Sequence, residues 1–488
     1  MQKFIIVISF IIGMNMFWAC SGQLTNYSEM DYTPKISPDY SGITIPPNIA
    51  PLNFFIHEKG EEYVIKLSAV ENKAMRMTST NGEVRIPLRK WKKFLEQSKG
   101  KDFRIDIWAK RQGHWNKFRP IVNHVAVDSI DRYLVFRSIE PGFEMWKRMG
   151  IYQRCLEDFK KTPIMSNDFT ELNCMNCHSF SRNSNKSVMF HMRGKYSGTI
   201  IYNNGELKKV DTKTDKTISA GVYPAWHPNG RIIAFSTNNI IQCFHAVSNK
   251  KNEVIDTASD IILYDVTTDV ITESRIIASE DRFETFPCWS PDGKYLYYCC
   301  AKALSEDKYD QIRYSLMRIA FDQETCQFGE VDTIVPASQK GMSVSFPRIS
   351  PDNKYLLFCL SGYGNFTIWH SDSDLYLMNL ESKEIIKPDI NSSQAESYHT
   401  WSSNGRWIVF SSRRIDGLFT RFYFTYFDND GKAHKPFILP QRSPFFYETY
   451  MKSYNIPELV TSAVNLNPRI LSKIAKSTPV NVTYQKQE

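Results

Sequence analysis

The chain has 488 residues, 42% of them hydrophobic, a length and apolar mass that exceed what one core usually organises and point to two folded units. With only 22 Gly, 23 Pro and 14% aromatics, the composition excludes collagen-like and disordered chains. The net charge of +8, from 60 basic and 52 acidic residues spread along the chain, argues against nucleic acid; it would suit anionic headgroups or acidic envelope polymers, or simply a solvated surface.

Residues 1–19 read as a signal peptide: Lys3 supplies the positive end, residues 4–17 the apolar stretch, and Ala19-Cys20 a lipobox-like end. Cleavage before Cys20 would leave that cysteine carrying a lipid, with the protein in the cell envelope, lipid-anchored and periplasm-facing on the inner or outer membrane. Phe17 and Trp18 depart from the usual Leu and small residue. The alternative, an uncleaved anchor, is shorter than the ~20 residues a spanning helix needs. Residues 20–50 are polar and Pro-punctuated and predict a tether.

Residues 51–145 predict a small β-rich domain. Phe103, Ile105 and Ile107 alternate with Arg104, Asp106 and Trp108 at the period of a half-buried strand. Residues 63–67 and 133–136 add further strands. Between them Leu88, Trp91 and Leu95 recur at helical spacing, with Gly100 as the stop.

Within a connecting segment, 146–185, lies Asn173-Cys174-Met175-Asn176-Cys177-His178-Ser179-Phe180. On one turn of helix the two cysteines, three apart, would face the same way and reach both vinyl groups of a haem, with His178 on its iron. This is the c-type haem attachment motif, and composition alone would give about 0.004 copies in such a chain. The expectation is a haem c on Cys174, Cys177 and His178, with His191 or Met192 as a sixth ligand. A Cys174 to Cys177 disulfide or dithiol, or a zinc site recruiting His178 and His191, would use the same residues. The other cysteines lack the even spacing of a disulfide framework, and most are expected to be buried small hydrophobes.

The C-terminal half repeats itself. Tyr223-Pro-Ala-Trp226-His-Pro-Asn229-Gly230, Phe286-Pro-Cys-Trp289-Ser-Pro-Asp292-Gly293, Phe346-Pro-Arg-Ile349-Ser-Pro-Asp352-Asn353 and Tyr398-His-Thr-Trp401-Ser-Ser-Asn404-Gly405 each precede an apolar run. Starts at 223, 286, 346 and 398 lie 63, 60 and 52 residues apart, room for a four-stranded blade. The tetrad makes a tight turn, Pro fixing φ and Gly or Asn accepting a positive one.

These copies resemble the TolB-type propeller repeat: aromatic, Pro, any residue, Trp, Ser, Pro, Asp, Gly, then a strand. The expected fold is all-β, a small β-rich domain followed by a TolB-like β-propeller of five or six blades over 186–445 and a tail over 446–488. With the leader and the Cys-x-x-Cys-His segment, the chain resembles a family of envelope lipoproteins of Bacteroidetes type. The resemblance does not itself name a reaction; with a haem on the Cys-x-x-Cys-His segment and a propeller face to dock a protein partner, the expectation is electron transfer or a redox-linked envelope process. The alternative is a non-enzymatic TolB-like scaffold in which Cys174 and Cys177 are structural. A third class places an enzyme in the channel, because His227, His245 and His399 with Gln242 resemble the metal set of some propeller lyases. No Gly-x-Ser-x-Gly elbow is present, which disfavours serine hydrolysis.

Overall fold

The computed structural model describes residues 24–69, 74–140, 148–245 and 252–487. The signal peptide and Cys20 lie outside them. Almost every element is a strand, and the strands form six four- or five-stranded sheets plus a separate N-terminal unit.

In the N-terminal unit, Lys101–Arg111 is the spine of a seven-stranded sheet and pairs with Glu62–Ser68, His114–Lys117 and Ile121–Val125. The predicted alternation holds, with Phe103, Ile105 and Ile107 buried against the helix Leu88–Ser98. That helix turns Trp91, Phe94 and Leu95 inward, and the Trp91 indole donates to Ile49 O at 2.9 Å. The expected tether is instead structured from residue 24: Tyr40, Ile43, Ile45 and Ile49 are buried, and Thr44–Ile45 pairs with Ile121–Val125. The segment reads as polar and Pro-rich, yet most of its apolar side chains from Ile36 onward are spent on this core.

The remaining six sheets are the blades of a β-propeller, so among the described residues the count is six. Blade 1 runs Cys174–Phe180, Ser187–Arg193, Gly198–Asn203, Glu206–Asp211 from axis to rim. Blades 2 to 5 begin with Val222–Trp226, Arg282–Trp289, Ser343–Ile349 and Glu396–Trp401. Blade 6 is shared between the two ends of the propeller. Its inner strand is Ser453–Val460, and its outer three, Tyr133–Ile139, Met149–Cys155 and Lys161–Ser166, precede blade 1 in the chain.

This pairing corrects three expected boundaries. Residues 133–139 belong to the propeller rather than the small domain, and the described part of the expected connector 146–185, residues 148–185, is the rest of blade 6 and the start of blade 1. The segment 446–488 is likewise structural. It supplies the closing strand, the helix Pro468–Lys476 whose Leu471 and Ala475 are buried between blades 6 and 1, and two strands, Val480–Asn481 and Thr483–Gln487, that add parallel to the rims of blades 1 and 2.

The N-terminal unit is fixed to blade 5 by directional bonds. The Asp131 carboxylate accepts from Ser403 N and Ser403 Oγ at 2.7 and 2.5 Å, and Tyr426 Oη donates to Asp128 at 2.7 Å. Trp407 Nε1 donates to Asp128 O at 3.0 Å.

A chain ended at residue 445 lacks the inner strand of blade 6 and is expected to lose cooperative unfolding and near-ultraviolet dichroism. A chain ended at residue 462 keeps that strand, and should stay folded with a melting temperature several degrees lower because the Leu471 and Ala475 contacts are gone. Equal behaviour of the two truncations would show that the closing strand is not what holds the ring.

Candidate functional site: the propeller axis

The six inner strands share one irregularity. Each carries a single non-glycine residue in the left-handed region: Cys177 (54°), Tyr223 (48°), Phe286 (51°), Phe346 (53°), Tyr398 (34°) and Ile456 (52°). Each is followed by His178, Pro224, Pro287, Pro347, His399 or Pro457. The bulge costs on the order of 1–3 kcal/mol per residue and frees a backbone N–H. Side chains take up that donor: Asn176 Oδ1 accepts from Cys177 N at 2.8 Å, Asn455 Oδ1 from Ile456 N at 3.1 Å, and Ser236 Oγ from Phe286 N at 3.1 Å.

Cys177-His178 is therefore the blade 1 copy of the aromatic-Pro step. The motif lies on a strand, not on the predicted helical turn. The match is hidden in the sequence because Cys-His replaces Tyr-Pro, Phe180 replaces Trp226 and Arg182 replaces Pro228; only Ser181, the serine of blades 3 to 5, and Asn183, opposite Asn229, keep the repeat's residues.

At the axis the ring residues stack edge to edge. Centroids lie 4.5 Å apart for Tyr223 and Phe286, 4.5 Å for Phe286 and Phe346, and 4.6 Å for Phe346 and Tyr398. Cys177 and Ile456 occupy the two remaining places. The ring leaves a cavity of about 40 Å³ beside Cys177, His178 and Glu458. On one side of it lies the mouth of the axis, with Arg137, Asn176 and Trp369; on the other lies a cleft of about 390 Å³ with Arg182, Trp289 and Arg348.

A long hairpin of blade 2, Ile232–Phe244 and Asn252–Asp265, reaches over the mouth and is pinned to blade 4. Glu253 accepts from Tyr363 Oη at 3.0 Å and pairs with His370 Nε2 at 2.9 Å. Asp256 accepts from Asn238 Nδ2, Tyr314 Oη and Asn365 Nδ2.

The residues expected to hold a haem do not meet around a common space. Cys174 packs into the apolar layer between blades 6 and 1, whereas Cys177 stands in the axial ring. His178 is 2% exposed and faces blade 6, with burial first and Arg137 second pushing its pKa down to about 3. The backbone of Ile456 and Val135 is near the ring, although neither nitrogen has a partner of hydrogen-bond geometry. Its counterpart in blade 5, His399, is also neutral and donates from Nε2 to Leu357 O at 3.0 Å. Leu357 faces Arg348 across blade 4 as Val135 faces Glu458 across blade 6, so the two histidines fill the same interblade slot.

His191 is buried and bonds Thr199 Oγ1 through Nδ1 at 3.1 Å, and Met192 packs with Met175 in the interblade core. Neither lines the axial cavity. A water needs roughly 10–15 Å³, so the space beside Cys177 and His178 holds about three waters. A porphyrin does not fit it. Among the described residues all nine cysteines are unpaired and no group of three or more His, Cys, Asp or Glu could hold a metal. His227 bonds Gly293 O between blades 2 and 3, His399 sits at the axis, and His245 ends the blade 2 hairpin strand, so the lyase-like set does not converge.

A more open groove, about 1240 Å³, lies on the outer face of the N-terminal sheet beside Trp108. Its charges are largely matched locally, with Arg104 to Asp106 at 3.7 Å and Lys117 to Glu29 at 3.9 Å, so the axis carries the stronger chemical asymmetry.

Comparison with known proteins finds no matching family model and no matching curated protein. Solved structures give remote likenesses. A nidogen/laminin complex chain aligns at 9% identity and TM-score 0.37, over 64% of this chain and 95% of that one. Prolyl oligopeptidase B from Galerina marginata aligns at 9% and 0.38, over 80% of this chain and 54% of the other. The Dos1 propeller aligns at 14% and 0.27, over 45% and 62%. The assignment of a propeller rests on the six sheets and their closure.

Because four of the six equivalent positions are Pro, His178→Pro is expected to leave the fold intact, with a melting temperature within a few degrees of wild type. Collapse of that variant would mean that the imidazole does more than fill the slot. Cys177 should resist thiol reagents until the protein is unfolded; rapid labelling in the native state would contradict its place in the ring.

Burial also pushes Glu458 up to about 7, against a weak lowering by Arg348, and Asp256 up to about 6. The fold thus favours their protonated forms. The stability this contributes is complete below the unfolded carboxylate range near about 4 and is lost as pH rises through 6 to 7, on the order of 3 kcal/mol for Glu458. The melting temperature should fall from pH 5 to 8, and Glu458→Gln should flatten the fall. Parallel curves would reassign the dependence to other groups.

Proposed function

We propose that this chain is a lipid-anchored, periplasm-facing envelope protein of TolB-like type whose propeller docks a protein partner and catalyses no reaction. The observation that carries this reading is the closed six-bladed ring with its axis blocked by stacked aromatics. A plugged axis suits two separate recognition faces better than passage through the ring, and propeller faces are broad and rigid. The pins between the N-terminal unit and blade 5 would hold those faces at a fixed angle to an anchor at Cys20. The modest positive charge suits an anionic envelope and gives no footprint for nucleic acid.

In this reading Cys174 and Cys177 are structural. A redox role through a haem would require blade 1 to give up its inner strand.

The test has two arms. Lipid labelling and fractionation should place wild type in membranes and Cys20→Ala in the soluble fraction. A photoreactive amino acid at Ile240, exposed at the mouth, should give a discrete adduct in intact envelopes, whereas one at Val331 on the blade 3 rim should not. Membrane retention without lipid would sink the anchor. An absence of adducts at Ile240 would sink the docking role.

A further inference from the structure

The mouth of the axis is built from hydrogen-bond donors. Arg137 of blade 6 is 9% exposed, its Nε has no partner, and its only hydrogen bond to a described residue is a long one from Nη1 to Met175 O at 3.5 Å. It lies across the strand pair from Asn455, and Arg193 of blade 1 lies across from Cys174. Arg137, Arg193, Asn176 and Asn455 line the same cavity of about 90 Å³. The two asparagines sit at equivalent points of blades 1 and 6, each with its Oδ1 committed to the bulge N–H, which leaves the Nδ2 hydrogens to the cavity.

A third cation, Arg413, is 3% exposed and stacks on Trp369, with Nε and Nη1 donating to the carbonyls of Ile368 and Leu418. Among the described residues the one carboxylate at the cavity wall, Glu140, is engaged by Lys452 at 2.8 Å. Among the described residues no carboxylate forms an ion pair with Arg137, Arg193 or Arg413. A buried guanidinium edge without an acceptor is costly, and charge-assisted bonds to planar or tetrahedral oxyanions are what arginine supplies best.

We propose that the mouth is a binding site for an anionic head group, a carboxylate or a phosphate, received by Arg137 and Arg193 with the amides of Asn176 and Asn455. At roughly 10–15 Å³ per water the cavity has the volume of about six to nine waters, which admits such a head group with a little water and leaves the rest of the ligand outside. The proposal deepens the docking reading, since the head group can belong to the partner, but it does not require the lipid anchor.

The experiment is calorimetric titration of the full-length protein in detergent at low ionic strength. Inorganic phosphate is one probe; the others are a short peptide with a free C-terminal carboxylate and the same peptide amidated. The expected result is saturable one-to-one binding of phosphate, of the free-acid peptide, or of both, weakened by added salt. Binding by phosphate alone identifies a phosphoryl group, and binding by the free acid but not the amide identifies a carboxylate. Arg193→Gln, half-exposed and without fold contacts of its own, should weaken binding roughly tenfold or more, and Arg137→Lys should weaken it while keeping the charge. Arg182→Gln, on the opposite face, should leave it unchanged. Absence of saturable binding by either probe, or wild-type affinity in Arg193→Gln and Arg137→Lys together, would overturn the site. Adducts at Ile240 that persist in those variants would leave docking intact while removing the anion site, so the two failures are distinguishable.

Discussion

The pairing of Ser453–Val460 with Tyr133–Ile139 is the contact on which the ring depends. It joins segments more than three hundred residues apart, and without it blades 1 and 6 would each expose a hydrophobic face. The entropy of closing so long a loop grows only logarithmically with length, so one well-packed strand can offset it. The same strand brings Ile456 to the axis and Glu458 beside Arg348, so closure and the axial chemistry are a single event.

The axis shows how strain is distributed. Six left-handed residues, four of them aromatic and one β-branched, would be hard to keep in an isolated hairpin. Here the four aromatic ones are held by stacking on one another in the ring, and the bulge N–H of blades 1, 3 and 6 by a dedicated acceptor. Cys177 and Ile456 interrupt the aromatic series at adjacent blades, and the donor-rich wall of the mouth lies above that interruption. The chemical asymmetry of the axis thus follows from which two blades lack an aromatic residue.

The sequence made the four regular blades legible because the turn after each inner strand needs Pro, Asp or Asn, and Gly at fixed offsets. Blade 6 was hidden by its split across the chain: neither residues 133–166 nor 453–460 contain a full repeat. Blade 1 was hidden by a more misleading signal, since Cys174-Met-Asn-Cys177-His178 has the spacing of a haem attachment motif. Spacing alone cannot tell a helical turn from a bulged strand. The neighbouring Asn183, and the apolar run from Val188 to Phe190 after it, carried the information that this segment begins a blade. The apolar runs around the other cysteines pointed to burial, and Cys155, Cys288, Cys299 and Cys359 lie in the interior. The donor-lined mouth was not legible, because Arg137, Asn176, Arg193 and Asn455 lie far apart in sequence and share no pattern.

The two parallel strands at the chain's end have a consequence for self-association. Val480–Asn481 and Thr483–Gln487 occupy the outermost hydrogen-bonding positions of blades 1 and 2, which would otherwise be open templates for a foreign strand. Blade 3 has no such cover: its rim strand Gln327–Val335 is largely exposed, yet it carries Glu330 and Asp332, whose charges repel an approaching copy of the same edge. Edge-to-edge pairing is thus opposed by chain on one flank and by charge on the next, and loss of the last dozen residues would uncover the backbone edges of Glu206–Asp211 and Val270–Ser274.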